Sequence, residues 1–293
     1  MSEPVRTECF EEQRARLVGL AYRITGSRSD AEDIVQEAWL RWDRADRSTI
    51  ERPEAWLTTV TSRLALDRLR SAQHRREQYV GSWLPEVAVV DADPAERAEL
   101  AESLTIGFLA MLERLNPVER VVFLLADVWR VPFDEIAGVV DRSPTACRQV
   151  ASRARRRVAE DRPRFSPTDD DAWRVTFAFL EAAAGGDLDG LTRALARDVV
   201  ETSDGGASRR AGRRPVVGAD RVARFVANLT RKLARPSVEI IPQLVNGQPG
   251  VVVFDDGQVD LTAVFSVVDG RIDRMWLVRA PDKLPGIELP AVR

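Results

Sequence analysis

The chain has 293 residues, 43 basic and 46 acidic side chains and a formal charge of −3. At roughly 100–200 residues per domain it has room for two or three cores, and 44 % apolar with 30 % charged residues excludes wholesale disorder. No apolar run approaches the roughly 20 residues of a membrane span, and Met1-Ser2-Glu3-Pro4-Val5-Arg6 lacks the basic and apolar stretches of a secretory signal.

In chain order, residues 10–75 read as helices. Leu17, Leu20, Ala21 and Ile24 make one helical stripe, which Thr25-Gly26-Ser27 breaks. Ser29 or Asp30 is expected to cap a second helix, residues 31–42, with Glu32 and Asp33 in its first turn and Ile34, Ala38 and Trp42 on one face. Pro53 opens a third, carried by Trp56, Leu57, Val60, Leu64 and Leu69 to about Arg76. Residues 78–103 then hold Gly81, Pro85, Pro94 and an acidic run, the composition of a linker. Pro117, Pro132 and Pro144 open further helical segments at 118–129, 133–140 and 145–160, closed by Pro163 and Pro167. Helices follow at 173–184, 188–196 and 219–234. Four β-like runs come last, at 238–245, 251–254, 259–268 and 272–278. Asn246-Gly247, Asp256-Gly257 and Asp269-Gly270 separate these runs as hairpin turns, giving an α+β domain with a meandering antiparallel sheet.

Rare residues narrow the chemistry. The two cysteines, Cys9 and Cys147, have no metal-like spacing and read as small apolar groups, which suits a reducing, cytoplasmic location. The only histidine is His74, and Tyr22 and Tyr79 are the only tyrosines. A His-based zinc site or a Ser-His-Asp triad in the second half is therefore excluded. All but two basic residues are arginine, the exceptions being Lys232 and Lys283. Arginine suits bidentate contacts to phosphate and guanine, and is also what a GC-rich genome encodes.

Charge is unevenly distributed. Residues 141–164 hold eight arginines against three acids, directly after a helix-turn-helix spacing: 133–140, the turn Asp141-Arg142-Ser143, and a second helix from Pro144 capped by Ser143. Ser143, Arg148, Gln149, Ser152, Arg153 and Arg156 are the candidates for the major groove and its phosphates. A solvated helix face is the alternative for such a run. Residues 61–77 carry a net +3, with Arg63, Arg68 and Arg70 as candidate DNA contacts. Trp56 just upstream suits either the core or stacking on unpaired bases.

These segments carry a family resemblance. Asp30-Ala31-Glu32-Asp33-Ile34-Val35-Gln36-Glu37-Ala38-Trp39-Leu40-Arg41-Trp42 closely resembles the polymerase-binding part of region 2 of bacterial extracytoplasmic-function sigma factors. Pro53-Glu54-Ala55-Trp56-Leu57-Thr58-Thr59-Val60 with Leu66-Asp67-Arg68-Leu69-Arg70 resembles its promoter-melting part. Leu115-Asn116-Pro117-Val118-Glu119-Arg120-Val121-Val122-Phe123 and the helix-turn-helix resemble region 4. The resemblance implies that Asp33, Gln36, Glu37 and Arg41 meet the clamp helices of the largest RNA polymerase subunit. Residues 44–76 would then read and melt the minus-ten element, and 144–158 would read the minus-thirty-five element. Val150 stands where members commonly have a basic residue.

Beyond residue 165, Phe179-Leu180-Glu181-Ala182, Gly186-Asp187-Leu188-Asp189-Gly190-Leu191 and Leu195 to Glu201 resemble the start of a SnoaL-like domain of the NTF2-like fold. Trp83-Leu84-Pro85-Glu86, Asp204-Gly205-Gly206 and Pro281-Asp282-Lys283-Leu284 resemble marks of the sigma subgroup fused to such a domain. Val87 stands where that subgroup often has proline, Ala207-Ser208 replaces Gly-Lys, and Ala280 replaces Asn.

The expected fold class is multidomain: two all-α sigma domains (a region 2 helical bundle and a region 4 helix-turn-helix) plus a C-terminal α+β NTF2-like cone. The expected domains are region 2 at 1–77, an acidic linker at 78–103, region 4 at 104–165 and a regulatory domain at 166–293. The expected function is an alternative sigma factor controlled in cis, with RNA polymerase core and promoter DNA as partners and no membrane. Trp83, Leu84, Pro85, Glu86, Asp204, Gly205, Gly206, Asp282 and Lys283 are the candidate interdomain contacts. No catalytic residue, metal or cofactor is expected; a small-molecule ligand stays open. A helix-turn-helix regulator sensing a small molecule is the alternative, and a SnoaL-like enzyme is disfavoured because residues 166–293 hold no His, Tyr or Cys.

Overall fold

The structure, a computed structural model, describes residues 3–77, 79, 81–88, 105–159, 169–209, 211–284 and 286–287. The acidic run beyond Ala88, the prolines Pro94, Pro163 and Pro167, and Arg97, Arg162, Arg164 and Arg210 lie outside the described residues, as do the side chains of His74, Arg75 and Arg76. Contacts divide the chain into two units, Met1–Gln78 with Met111–Arg162, and Tyr79–Ala110 with Pro163–Arg293. Region 2 and region 4 thus share a unit, and the described start of the linker clusters with the C-terminal domain.

The first unit begins with helices α1 (Glu3–Thr25), α2 (Arg28–Arg44) and α3 (Pro53–Glu77). They meet on Phe10, Leu17, Val35, Trp42 and Leu57, with the Phe10 ring edge-on to Trp39 at 4.9 Å. The cap of α2 is Ser27, two residues before Ser29, the earlier of the two expected caps: its hydroxyl accepts from the Asp30 amide at 3.1 Å. Ser27, Ser29 and Asp30 are all good caps, so spacing alone does not choose among them.

Helix α4 (Ile106–Leu112) crosses the division between the units. Helix α5 (Pro117–Phe123) opens on a capping box. The Asn116 carbonyl oxygen accepts from the Glu119 amide at 2.9 Å, and the Glu119 carboxylate accepts from the Asn116 amide at 3.2 Å. The single helix expected over 118–129 instead widens into a π turn at Leu124–Val128. Trp129 and Val131 reach back to the carbonyls of Leu124 and Leu125, and Pro132 has no N–H with which to continue. Helices α6 (Phe133–Val140) and α7 (Pro144–Ala159) follow.

The second unit continues with α8 (Asp169–Gly185) and α9 (Leu188–Ala194). The helix expected over 188–196 stops at Ala194, and strand β1 (Leu195–Asp204), not expected from the sequence, starts there. Strand β2 (Val216–Val217), helix α10 (Ala219–Leu233) and strands β3 (Val238–Val245), β4 (Gln248–Asp255), β5 (Gln258–Val268) and β6 (Arg271–Val278) complete it. The sheet order is β2-β1-β6-β5-β4-β3. The meander β3 to β6 is antiparallel as expected, whereas β1 joins β6 in parallel, with Ser203 opposite Leu277.

All three hairpin pairs have positive φ at both residues (51° and 71° at Asn246-Gly247, for example), the geometry that suits the strands' right-handed twist. One sheet face packs on the helices through Phe179, Leu191, Val222, Phe265 and Met275. The other, with Val252, Phe254, Val264 and Trp276, is covered by Leu84, Val87 and Ile106. Strands β4 and β5 are therefore buried on both faces and read as near-continuous apolar runs.

Candidate functional site

On α2, Ile34, Val35, Ala38 and Trp42 face the core, which leaves Asp33, Gln36, Glu37 and Arg41 exposed together. Glu37 and Arg41, one turn apart, pair at 2.6 Å. Leu40 stands 45 % exposed beside them, an apolar residue within a charged row.

On α3, the selected arginines are engaged within the first unit. Arg63 donates twice to the Gly138 carbonyl of α6, at 2.5 and 3.2 Å. Arg68 lies between Asp30 and Asp33 of α2 at 3.4 and 3.5 Å, which joins the expected DNA face to the expected polymerase face. Arg70 pairs loosely with Asp67 at 3.6 Å. Trp56 is half-buried, its ring 5.6 Å from Trp42, so core packing holds part of it and leaves an edge accessible.

The helix-turn-helix forms as its residues dictate. Asp141 takes the left-handed conformation (φ 52°) that ends α6, and the Ser143 hydroxyl accepts from the Ala146 amide at 3.2 Å to cap α7. Cys147, Val150, Ala151 and Ala154 are buried. Ser143, Arg148, Gln149, Ser152, Arg153 and Arg156 are exposed, spread from the cap of the helix to its last turn. Val150 is 2 % exposed, so a base at that position would be driven into the core. Two further arginines of the run have acidic partners: Arg155 is tied to Asp127 at 2.9 Å and Arg157 to Glu119 at 2.6 Å, while Arg142 is exposed in the turn.

Sequence reasoning passed over Arg120. Only 1 % exposed, it donates to the Leu112 and Ile24 carbonyls at 2.9 and 3.0 Å and pairs with Glu113 at 3.0 Å. A buried guanidinium satisfied in this way ties α1 to α5.

In the second unit the three separated motifs converge on Asp204. Its carboxylate accepts from the Leu84 amide at 2.7 Å, the Gly206 amide at 3.0 Å and the Tyr79 hydroxyl, and it pairs with Lys283 at 2.5 Å. The Lys283 ammonium lies 3.3 Å from the centre of the Trp83 ring and 4.9 Å from that of Tyr79. Burial, and then the hydrogen bond to Asp204, push the Tyr79 hydroxyl far above its ordinary pKa, so it stays a donor.

Both glycines of the motif are required. A Cβ on Gly205 would stand 2.4 Å from the Arg209 carbonyl oxygen. Gly206 has φ 65°, and its Cβ would meet Ala280 at 3.2 Å. Val87 donates its amide to the Lys283 carbonyl at 3.1 Å, a bond that proline at this position would forfeit. Asn246 exchanges bonds with the Ala88 backbone at 3.0 and 2.8 Å. Leu84, Pro85 and Glu86 are buried, whereas Asp282 stays exposed and is not among the partners of Asp204. Tyr79 and Asn246 were not among the expected site residues; nothing local in the sequence marks a partner more than a hundred positions away.

Comparison with known proteins follows the same division. Residues 9–75 match the family model Sigma-70 region 2, residues 107–158 match Sigma-70, region 4, and residues 177–275 match the SnoaL-like domain. The chain is 44 % identical over 294 residues to the ECF RNA polymerase sigma factor SigJ of Mycobacterium tuberculosis, covering 96 % of this chain and 93 % of that one. It is 38 % identical over 285 residues to the probable ECF RNA polymerase sigma factor SigI of the same organism, covering 96 % and 95 %. The crystal structure of Mycobacterium tuberculosis SigJ superposes with a TM-score of 0.76 at 37 % identity, over 94 % of this chain and 98 % of that chain. The chain belongs to the ECF family of RNA polymerase sigma factors and carries a SnoaL-like domain after its two sigma regions.

Proposed function

We propose that this sigma factor docks on the clamp helices of core RNA polymerase through Asp33, Gln36, Glu37 and Arg41 of α2. It then engages the minus-ten element through α3 and the minus-thirty-five element through α7, under control in cis by its C-terminal domain. Support for α7 comes from the exposed row Arg148, Gln149, Ser152, Arg153 and Arg156 behind a capped turn. Support for α2 comes from the exposed acids and Leu40 on one face. For α3, Arg63 and Arg68 must exchange their internal partners for DNA phosphate, so promoter binding competes with contacts inside the first unit.

The observation that carries control in cis is the convergence of Leu84, Tyr79 and Lys283 on Asp204. The linker joins region 2 to region 4, and anchoring its first residues on the C-terminal domain shortens the free tether between the two DNA-reading regions. Tether length sets how readily two linked modules engage two sites at once. Run-off transcription with core polymerase tests this with the full chain, Asp204→Asn and Lys283→Met. Promoter-dependent product from the full chain and a changed level from the variants are expected. No product from any of the three would overturn the docking and promoter assignments; equal product from all would overturn control through the linker.

A further inference from the structure

The C-terminal domain encloses a cavity of about 440 Å³ between β1, the ends of β5 and β6, and α10. Its walls are mostly apolar, with Phe225 and Leu229 from the helix facing Leu277 of the sheet. The polar side chains on it are few: Ser203, Asn228, Lys232 and Arg279. Among the described residues no carboxylate lines it, while Lys232 and Arg279 bring two cationic groups to its wall. A pocket of a few hundred cubic ångströms, apolar in bulk with a few placed polar groups, is the usual form of a small-molecule site.

The polar groups are held in place. Arg279 is gripped by both oxygens of Asp260 at 3.1 and 3.0 Å, and Asp260 is 4 % exposed and also takes Arg209. Two guanidinium groups thus share one carboxylate beside the cavity. Lys232 is exposed on α10, where its long stem can cover apolar surface while its ammonium turns to the opening. Ser203, 4 % exposed, donates its hydroxyl to Glu201, fully buried two residues earlier on the same face of β1. The geometry points to a binding site for an apolar monocarboxylic acid, its hydrocarbon body against Phe225, Leu229 and Leu277 and its carboxylate between Lys232 and Arg279, with the Asn228 amide as a further donor. A neutral apolar molecule would gain nothing from Lys232 and Arg279, and a polyphosphate would set most of its charge against hydrocarbon.

This site goes beyond the transcriptional reading and is tested without polymerase, so either can fail alone. The full chain is titrated calorimetrically with octanoate against octanol and with naphthoate against naphthalenemethanol, covering aliphatic and aromatic acids. Saturable binding is expected for at least one acid, up to roughly fivefold tighter than its alcohol, the factor one partly exposed ion pair accounts for. Lys232→Met, at an exposed position, should leave the melting temperature unchanged and abolish the preference for the acid. Leu229→Trp, which fills the cavity, should abolish binding of both. The site is refuted by absence of saturable binding for both acids, by equal affinity for acid and alcohol, or by undiminished binding in Leu229→Trp.

Discussion

Two clusters in this molecule use the same Arg or Lys with Asp or Glu chemistry to opposite ends. Around Asp204, pair and surroundings are buried: the Lys283 side chain is 4 % exposed and that of Asp204 0 %. On α7 the arginines are open: Arg155 is half-exposed against a partly exposed Asp127, and Arg157 is half-exposed although its partner Glu119 is buried. Inside, a carboxylate that loses its cation is left charged and desolvated, so the cluster holds as a whole or fails as a whole. Outside, water and salt replace an exposed arginine at little cost, so under the proposed function the arginines can exchange partners for phosphate. Burial thus separates a structural latch from the surface proposed for DNA, which sequence charge counts alike.

The largest expected effect breaks the buried side of the comparison. Asp204→Ala removes the acceptor of Tyr79, Leu84 and Gly206 and strands the Lys283 ammonium between two rings. A loss of about 3–5 kcal/mol is expected, read as a lowered denaturant midpoint. Release of residues 79–88 should appear in the same variant as faster amide exchange at Leu84 and Val87, whose N–H groups bond to Asp204 and Lys283. A loss within that of an ordinary surface substitution would show that the cluster is not cooperative.

Glu201 extends the comparison to a buried carboxyl that pairs with no cation among the described residues. Burial pushes it up to about 7, partly opposed by the Ser203 hydroxyl. From the ordinary value of 4.5 up to about 7 the folded chain therefore holds a proton that the unfolded chain has lost. Stability should fall as pH rises through that window and level off above it. Glu201→Gln removes the slope: the variant should match the parent near pH 4 and exceed it by about 3 kcal/mol near pH 8. Parallel pH profiles for the two chains would refute this.

What could be read from the sequence followed the same division between outside and inside. The hairpins were legible because Asn-Gly and Asp-Gly pairs carry their geometry locally, and α7 because Ser143-Pro144 starts it and an apolar i, i+3, i+4 row of Cys147, Val150, Ala151 and Ala154 faces inward. Strand β1 was hidden because its inward positions run Val199, Glu201, Ser203: buried polar residues erase the alternation that announces a strand. The motifs around Asp204 could be singled out but their meeting could not, since contact between Tyr79 and Asp204 depends on the whole sheet being in place. The engagement of Arg63 with Gly138 was equally invisible, because a backbone carbonyl has no sequence signature.

On the exposed side, Arg153→Ala sharpens the comparison. If Arg153 reads a base edge, promoter affinity of the polymerase complex should fall by roughly 1–3 kcal/mol for the cognate sequence and hardly at all for a site altered at that base. If it holds phosphate, the loss should be uniform across sequences. Melting temperature should not move in either case, because the side chain is exposed. A drop in stability instead would place Arg153 with the latch residues rather than with the reading surface.

A small effect on stability, and the most discriminating readout, is expected from Asp127→Asn. The Arg155–Asp127 pair at 2.9 Å is half-open, so its removal should change stability by less than about 1 kcal/mol. It would, however, free Arg155 from its counter-charge. Each cation that neutralises a phosphate adds about 0.9 to the slope of log affinity against log salt. If Asp127 holds Arg155 away from DNA, the variant's slope should steepen by roughly that amount. If Arg155 already exchanges Asp127 for phosphate when promoter binds, affinity should rise while the slope stays fixed, because the parent had counted that phosphate at the cost of an internal pair. The two outcomes separate an arginine that merely sits in a basic run from one that belongs to the DNA surface, which net charge along the sequence cannot do.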